Sequence, residues 1–273
     1  MRGLILCDVD KTIQDHLGFV NAVALFAQIA EMIEKGWVIG VNSDTSRKRL
    51  VTIMERFGFN GPMISERGQI VSIGKKAPII FDAKMNKVFT EMEQSLVFLL
   101  MSKFGEKAIV SPVYDYPEDS STVEKVDKKV YPHIVCYFTR ECSFSFSVLN
   151  DYQGQDPIDN EFFIRFVDAL QEFLDKKEKN ELAVEYYSKS SFVQIISKTA
   201  YKGSPVEMLL KHYGQDRLFM IGDCRFDDLK NDKVVQCAVG NADDDYKRRC
   251  AFVAEDETAA GAFQCLQWID ENF

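Results

Sequence analysis

The chain has 273 residues, 46% of them hydrophobic and 27% charged, with a formal net charge of −9. This balance describes a folded globular protein rather than a disordered one, and the acidic excess argues against a general binder of nucleic acid or anionic membrane, which needs a basic footprint. No apolar run approaches the length of a bilayer-crossing helix. Cys7, Cys136, Cys142, Cys224, Cys237, Cys250 and Cys265 form no CxxC pair and follow no secretory signal, so we expect reduced thiols in a cytoplasmic protein. His16, His133 and His212 are too far apart in sequence to suggest a zinc pair.

Residues 3–7 form an apolar run that suits a buried parallel strand, and Asp8, Asp10 and Thr12 follow on alternate positions. Ligands of open parallel sheets sit beyond the carboxyl ends of the strands. Two carboxylates this close repel, so they need a cation between them or a proton on one. Either arrangement suits a nucleophile and metal ligand beside a general acid or base. A turn begun by Asp8 and a helix capped by Asp10 fit the same residues. Apolar spacings of three and four predict a helix over 19–34, ended by Gly36. A second strand over 37–41 runs into Asn42-Ser43-Asp44-Thr45-Ser46-Arg47, which caps a helix reaching about residue 57. Asn42, Ser43 and Thr45 each qualify as the polar group at that strand end; Arg47 reads as an exposed first-turn arginine or an anion ligand. Short strands at 63–65 and 69–73 flank Glu66-Arg67-Gly68, and the alternation favours a parallel sheet covered by helices.

After Ile73 the pattern changes. We expect a helix over 84–104, a polar loop over 112–129, and strands over 133–139 and 143–149. In the last of these Phe144 and Phe146 alternate with Ser143, Ser145 and Ser147, which predicts one buried and one polar face. Asp156-Pro157 opens a helix carrying Phe162, Phe163, Phe166, Leu170 and Leu174, and strands over 182–187 and 192–197 complete the insert. Its aromatic residues read as its own core. Alternation then resumes: helix 205–213, strand 218–221 ending in Gly222-Asp223-Cys224-Arg225-Phe226-Asp227-Asp228, strand 235–239 ending in Gly240-Asn241-Ala242, helix 258–269. We therefore expect an α/β protein with a Rossmann-like parallel core at 1–83 and 198–273, and an α+β cap at 84–197.

Carboxylates, a hydroxyl and Lys202 thus gather at one sheet edge, which describes a site for Mg²⁺ and a phosphoryl group. The set also matches a known pattern. Asp8-Val9-Asp10-Lys11-Thr12 fits DxDxT, Ser43 a strand-end Ser or Thr, Lys202-Gly203 the lysine, Gly222-Asp223 with Asp227 GDxxxD, and Val239-Gly240-Asn241-Ala242 with Gly261 the closing segment. On these residues the chain resembles the haloacid dehalogenase superfamily in its Cof-type branch of cap-bearing phosphatases. Asn60-Gly61-Pro62-Met63-Ile64-Ser65-Glu66 also resembles a stretch of archaeal phosphoglycolate phosphatases.

The resemblance implies that Asp8 attacks phosphorus, and that Asp10 protonates the leaving oxygen and later deprotonates water. It further implies that Thr12, Ser43 and Lys202 contact the phosphoryl group. Asp8, the backbone carbonyl of Asp10 and Asp223 would hold Mg²⁺, with Asp227 a ligand or its neighbour. Lys11 departs from the usual glycine, Phe226 from an asparagine, and Arg67 from the asparagine of Glu-Asn-Gly. Asn241 reads as a turn residue supporting the site. The expected activity is hydrolysis of a small phosphorylated metabolite, a sugar or sugar-acid phosphate first and phosphoglycolate second. A catalytically silent phosphometabolite-binding protein is the alternative of another class, motivated by Lys11 and Phe226. Neither nucleic acid nor membrane is an expected partner, and the residues set no oligomeric state.

Overall fold

The computed structural model describes residues 1–15, 18–113, 132–149, 160–187 and 191–273. The chain begins with β1 (Gly3–Cys7), α1 (Val23–Glu34), β2 (Trp37–Asn42), α2 (Arg47–Phe57), β3 (Met63–Ser65), β4 (Ile70–Ser72) and β5 (Ile79–Ile80). Next come α3 (Ala83–Phe104), β6 (Ile109–Val113), β7 (His133–Tyr137), β8 (Ser143–Leu149), α4 (Asn160–Lys176), β9 (Leu182–Tyr187) and β10 (Phe192–Ser197). The last part holds α5 (Val206–Tyr213), β11 (Leu218–Gly222), a 3-10 turn (Arg225–Asp227), β12 (Val234–Ala238), α6 (Asp244–Lys247), β13 (Phe252–Val253) and α7 (Thr258–Asn272). These form two compact units, Met1–Phe81 with Ala200–Phe273, and Asp82–Thr199.

The first unit is an eight-stranded sheet in the order β13-β12-β11-β1-β2-β3-β4-β5. From β13 to β3 all neighbours are parallel. Side-chain alternation along β1 shows why helices must cover both faces. Ile5 and Cys7 join an apolar cluster with Ile29, Met32, Leu266 and Ile269, whereas Leu4 and Leu6 join another with Leu209, Leu210 and Met220. Parallel pairing stops at β3: the turn over Glu66, Arg67 and Gly68 is too short for a crossover, so β4 returns antiparallel and β5 follows it. The first helix starts at Val23 and not at 19, because Phe19 is held in a turn, its N–H on the Asp15 carboxylate at 2.9 Å and its carbonyl on the Asp15 N–H at 2.9 Å. At the other end of the loop that follows β2, the Ser46 hydroxyl caps α2 by accepting from the Arg49 N–H.

The second unit is a five-stranded sheet in the order β6-β7-β8-β10-β9. Its aromatic residues form its core: Phe89, Leu96 and Phe104 of α3 and Phe162, Phe166 and Leu170 of α4 pack with Phe144, Phe146 and Ile195. An extra strand, β6, occupies the beginning of what reads as a loop from residue 112. Pro112 is tolerated there because β6 is an edge strand, where a missing N–H breaks no ladder on the outer side. The serine face of β8 is polar but withdrawn from solvent at Ser143 and Ser145, the latter accepting from Gln194 Nε2 at 3.4 Å. Residues 114–131, His16 and the Asp156-Pro157 helix start lie outside the described residues. No helix among the described residues is long and apolar enough to cross a membrane.

Candidate active site

β11, β1 and β2 lie side by side and parallel, with Cys7 opposite Ile221 on one flank and Val41 on the other. Their succeeding residues therefore leave the sheet together at its carboxyl edge: Asp8 after β1, Ser43 after Asn42 of β2, and Asp223 after Gly222 of β11. Asp8 prolongs the ladder by donating its N–H to the Ile221 carbonyl at 2.8 Å. This anchors the root of a carboxylate that is 5% exposed.

Lys202 precedes α5 and reaches the same edge, buried in the first unit. Its Nζ donates to Asp8 Oδ1 and to Asp227 Oδ1, both at 2.6 Å. Asp227 spends its other oxygen on its own loop, accepting the N–H of Asp223 at 2.9 Å and of Cys224 at 3.2 Å. That loop wraps so closely that a Cβ on Gly222 would come 2.4 Å from Asp227 Oδ2, which is why glycine precedes Asp223. Thr12 donates from Oγ1 to Asp8 Oδ2 at 3.4 Å. Ser43, also buried, accepts the Thr45 N–H on Oγ at 3.2 Å, which leaves its own O–H available as a donor. Asn42 instead secures the backbone: its Nδ2 donates to the Lys202 carbonyl at 3.0 Å, tying the lysine's main chain to β2.

Asp10 is oriented by two residues that sequence patterns did not single out. Arg49, in the first turn of α2, donates Nη2 to Asp10 Oδ1 at 2.8 Å and Nη1 to Asp10 Oδ2 at 3.1 Å, while Gln14 Nε2 donates to Oδ1 at 3.0 Å. Arg49 lies two residues beyond Arg47. The available signal was its placement: a cation in a first turn opposes the helix dipole, so it points to an anionic partner. Lys11 stands at φ +63°, the left-handed conformation that accounts for glycine being usual there. Its carbonyl accepts from Asn241 Nδ2 at 2.9 Å, and Asn241 Oδ1 accepts the Thr258 N–H at 2.7 Å.

The electrostatics of this cluster are unbalanced. Burial disfavours the Lys202 ammonium, yet Asp227 and Asp8 outweigh burial and hold it well above its ordinary value. Burial also pushes the Asp8 carboxyl well up, against the pull of Lys202 and with the push of Asp227 and Asp223. Asp223 is raised to about 7 by burial and then by Asp227. Both carboxyl shifts point the same way: buried acids crowd a single ammonium, a shortage of positive charge that a divalent cation fits. Asp223, Cys224 and Asp227 offer ligand atoms within 4.8 Å of one another. Burial followed by the Asp227 and Asp223 charges pushes the Cys224 thiol far up, which disfavours its thiolate and leaves carboxylate oxygens as the main donors. Such a set suits a hard cation of the Mg²⁺ type better than zinc.

A parallel α/β sheet whose adjacent carboxyl ends present two aspartates and a serine beside a buried lysine sets these groups where ligands of such sheets bind. A family model described as haloacid dehalogenase-like hydrolase matches residues 5–266, and the chain belongs to that family. It is 24% identical over 274 residues to the phosphoglycolate phosphatase of Sulfolobus acidocaldarius, covering 98% of this chain and 97% of that protein. Among solved structures, a haloacid dehalogenase-like hydrolase from Bacteroides thetaiotaomicron matches with TM-score 0.66 at 15% identity, over 98% of this chain and 99% of that one. Thermoplasma acidophilum 0175 matches with TM-score 0.64 at 18% identity, over 98% of both chains. At these identities the solved structures bear on the fold.

Proposed function

We propose that the protein is a Mg²⁺-dependent phosphatase of a small phosphorylated metabolite, working through an aspartyl phosphate. The observation that carries the reading is Lys202 Nζ held at 2.6 Å from both Asp8 and Asp227 at the end of β1. In the first displacement an Asp8 oxygen attacks phosphorus, the ester P–O bond breaks, and Asp10 gives its proton to the departing alkoxide. In the second, Asp10 takes a proton from water, the water oxygen attacks phosphorus, and the P–O bond to Asp8 breaks, releasing phosphate. Two displacements replace one difficult hydrolysis. Lys202 neutralises charge on the transferring group and keeps Asp8 in place, while the Ser43 hydroxyl donates to a phosphoryl oxygen and the Thr12 hydroxyl turns from Asp8 Oδ2 to donate to another.

Asp8, the Asp10 backbone carbonyl and Asp223 are the groups that would hold Mg²⁺, which when bound supplies positive charge opposite the phosphoryl oxygens. Asp227, with both oxygens already engaged, serves in this reading to hold Lys202 and the Asp223 loop. Selection of the organic part of the substrate is assigned to residues 84–197, within the unit Asp82–Thr199. A sugar or sugar-acid phosphate is the first class to test. Phosphoglycolate stands beside it, favoured by the full-length likeness to a phosphoglycolate phosphatase. The test is hydrolysis of p-nitrophenyl phosphate with and without Mg²⁺, in wild type and Asp8→Asn, followed by a panel of phosphorylated metabolites. Turnover that needs Mg²⁺ and disappears in Asp8→Asn is the expected result. Undiminished turnover in the folded variant would sink the mechanism.

A further inference from the structure

The turn between β3 and β4 is built on left-handed backbone, with Glu66, Arg67 and Gly68 at φ +49°, +56° and +85° in succession. For the two residues that carry a Cβ this costs about 1–2 kcal/mol each, a strain that persists only where the surroundings enforce it. The enforcing contacts lead to the loops of the catalytic centre. Glu66 donates its N–H to the Thr45 carbonyl at 3.0 Å and Arg67 to the Ser43 carbonyl at 3.3 Å. Gly68 presses against the chain just ahead of Lys202, where a Cβ would come 2.1 Å from the Tyr201 carbonyl oxygen.

The Arg67 side chain, 5% exposed, extends this brace. Its Nε and Nη2 both donate to Asp44 Oδ2, at 3.0 and 2.7 Å, next to Ser43 in the chain. Its guanidinium carbon lies 4.8 Å from the centroid of the Phe226 ring. Phe226 sits in the 3-10 turn between Asp223 and Asp227, and Arg225 also stands over its ring at 5.0 Å. A guanidinium withdrawn from water needs a carboxylate and favours a flat aromatic face, and here the two come from different loops of the site.

We propose that Arg67 is a positioning residue that locks the Ser43 loop to the Asp223–Asp227 loop through Phe226, fixing Asp223 for metal binding without touching metal or substrate. Arg67 and Phe226, from two different loops of the site, thereby form one contact. This assignment rests on the phosphatase reading, and its test separates the two. Mg²⁺ binding to the full-length protein is measured by titration calorimetry, alongside p-nitrophenyl phosphate turnover, for wild type, Arg67→Gln, Phe226→Leu, their double variant, and Phe226→Tyr. The Mg²⁺ dissociation constant is expected to rise about three- to thirtyfold in each of the first two variants, the range a cation–π contact spans. The double variant is expected to be no weaker than the weaker single, and Phe226→Tyr, which keeps the ring, to match wild type. A brace that serves stability alone would lower the melting temperature and leave Mg²⁺ affinity unmoved. Unchanged Mg²⁺ affinity in folded Arg67→Gln and Phe226→Leu, or losses that add in the double variant, overturns the proposal while leaving the phosphatase reading standing. Wild type that neither binds Mg²⁺ nor turns over overturns both.

Discussion

Replacing Lys202 by methionine tests the centre most directly, because the unbranched side chain keeps most of its length and loses the charge and donors of the terminal ammonium. Two carboxylates now face each other across the space of one ammonium: Asp8, 5% exposed, and Asp227, 0% exposed, each formerly 2.6 Å from Nζ. Breaking a buried pair by removing one partner costs about 3–5 kcal/mol, since the remaining charge is uncompensated. The pH dependence follows from the direction of the shift. Lys202 is held above its ordinary value, so its contribution in wild type is fully present below the unfolded lysine pKa, about 10.4, and is lost only as pH rises through the folded value. Across the neutral range wild type therefore keeps the whole contribution. In Lys202→Met a proton taken up between the carboxylates is the only substitute for the ammonium, so the deficit shrinks as pH falls toward 5. Denaturant unfolding in chelator-containing buffer at pH 5, 6.5 and 8 measures this. Turnover of p-nitrophenyl phosphate is expected to fall at least about 10²- to 10³-fold, the scale of losing one aimed charge at a developing oxyanion. Stability within about 0.5 kcal/mol of wild type at pH 8, or a loss independent of pH, would refute the reasoning.

Other perturbations address separate parts of the molecule. Mg²⁺ is expected to raise the melting temperature by roughly 5–10 °C at a hundredfold excess over its dissociation constant, and Asp223→Asn to abolish the rise in differential scanning fluorimetry. Arg49→Gln should lower kcat about ten- to hundredfold with little change in Mg²⁺ affinity, because the fork on Asp10 is lost and the acid and base is left in several orientations. Lys11→Gly is expected to stabilise the fold by about 1 kcal/mol in urea titration, as relief of the left-handed penalty exceeds the added chain entropy. Asp270 receives Arg2 at 2.7 Å, Lys35 at 2.6 Å and the Trp37 indole at 3.0 Å. These outweigh burial and hold its carboxyl below the usual range. The linked stability is present above about pH 4 and is lost as pH falls through the folded value, so Asp270→Asn should cost about 1 kcal/mol at pH 7 and progressively less as pH falls below about 4.

What the sequence made legible was set by the range of the interactions involved. β1, β2, β11 and β12 are apolar runs bounded by polar residues, and their parallel order places Asp8, Ser43 and Asp223 at one edge without any knowledge of side-chain geometry. The antiparallel return of β4 and the added strand β6 were hidden by local signals: a three-residue turn, and a proline that reads as a breaker but stands on an edge. Elements of two to four residues such as β5, α6 and β13 are too short to show any period. At the site the carboxylates were visible because two of them share one short segment. Arg49 was not, and Arg67 stood out only as a departure from the pattern, with no sign of what it binds, since each acts on a residue 39 or 23 positions away through a fork whose direction only the folded backbone sets.

The left-handed residues explain how a centre made of repelling groups keeps its shape. Lys11, Glu66 and Arg67 all lie in loops at the carboxyl edge, and each has a main-chain group secured by a neighbouring loop. The Lys11 carbonyl is held by Asn241, the Glu66 N–H by Thr45 and the Arg67 N–H by Ser43. Asn241 also holds the N–H of Thr258, itself at φ +48°, so one amide secures two strained residues, 17 positions apart from the second of them. Strain of this kind persists only when several contacts determine the same conformation. The loops consequently support one another: releasing one, by Asn241→Ala for example, frees the Lys11 carbonyl beside Asp10 and uncaps the start of α7. Deletion of this single half-buried amide is thus expected to loosen the Asp8–Thr12 segment, seen as faster hydrogen exchange at the Thr12, Ile13 and Gln14 amides that all bond the Val9 carbonyl. Exchange at those amides unchanged from wild type would show that the Asp8 loop holds its form by itself, and that the left-handed Lys11 needs no support from across the sheet edge.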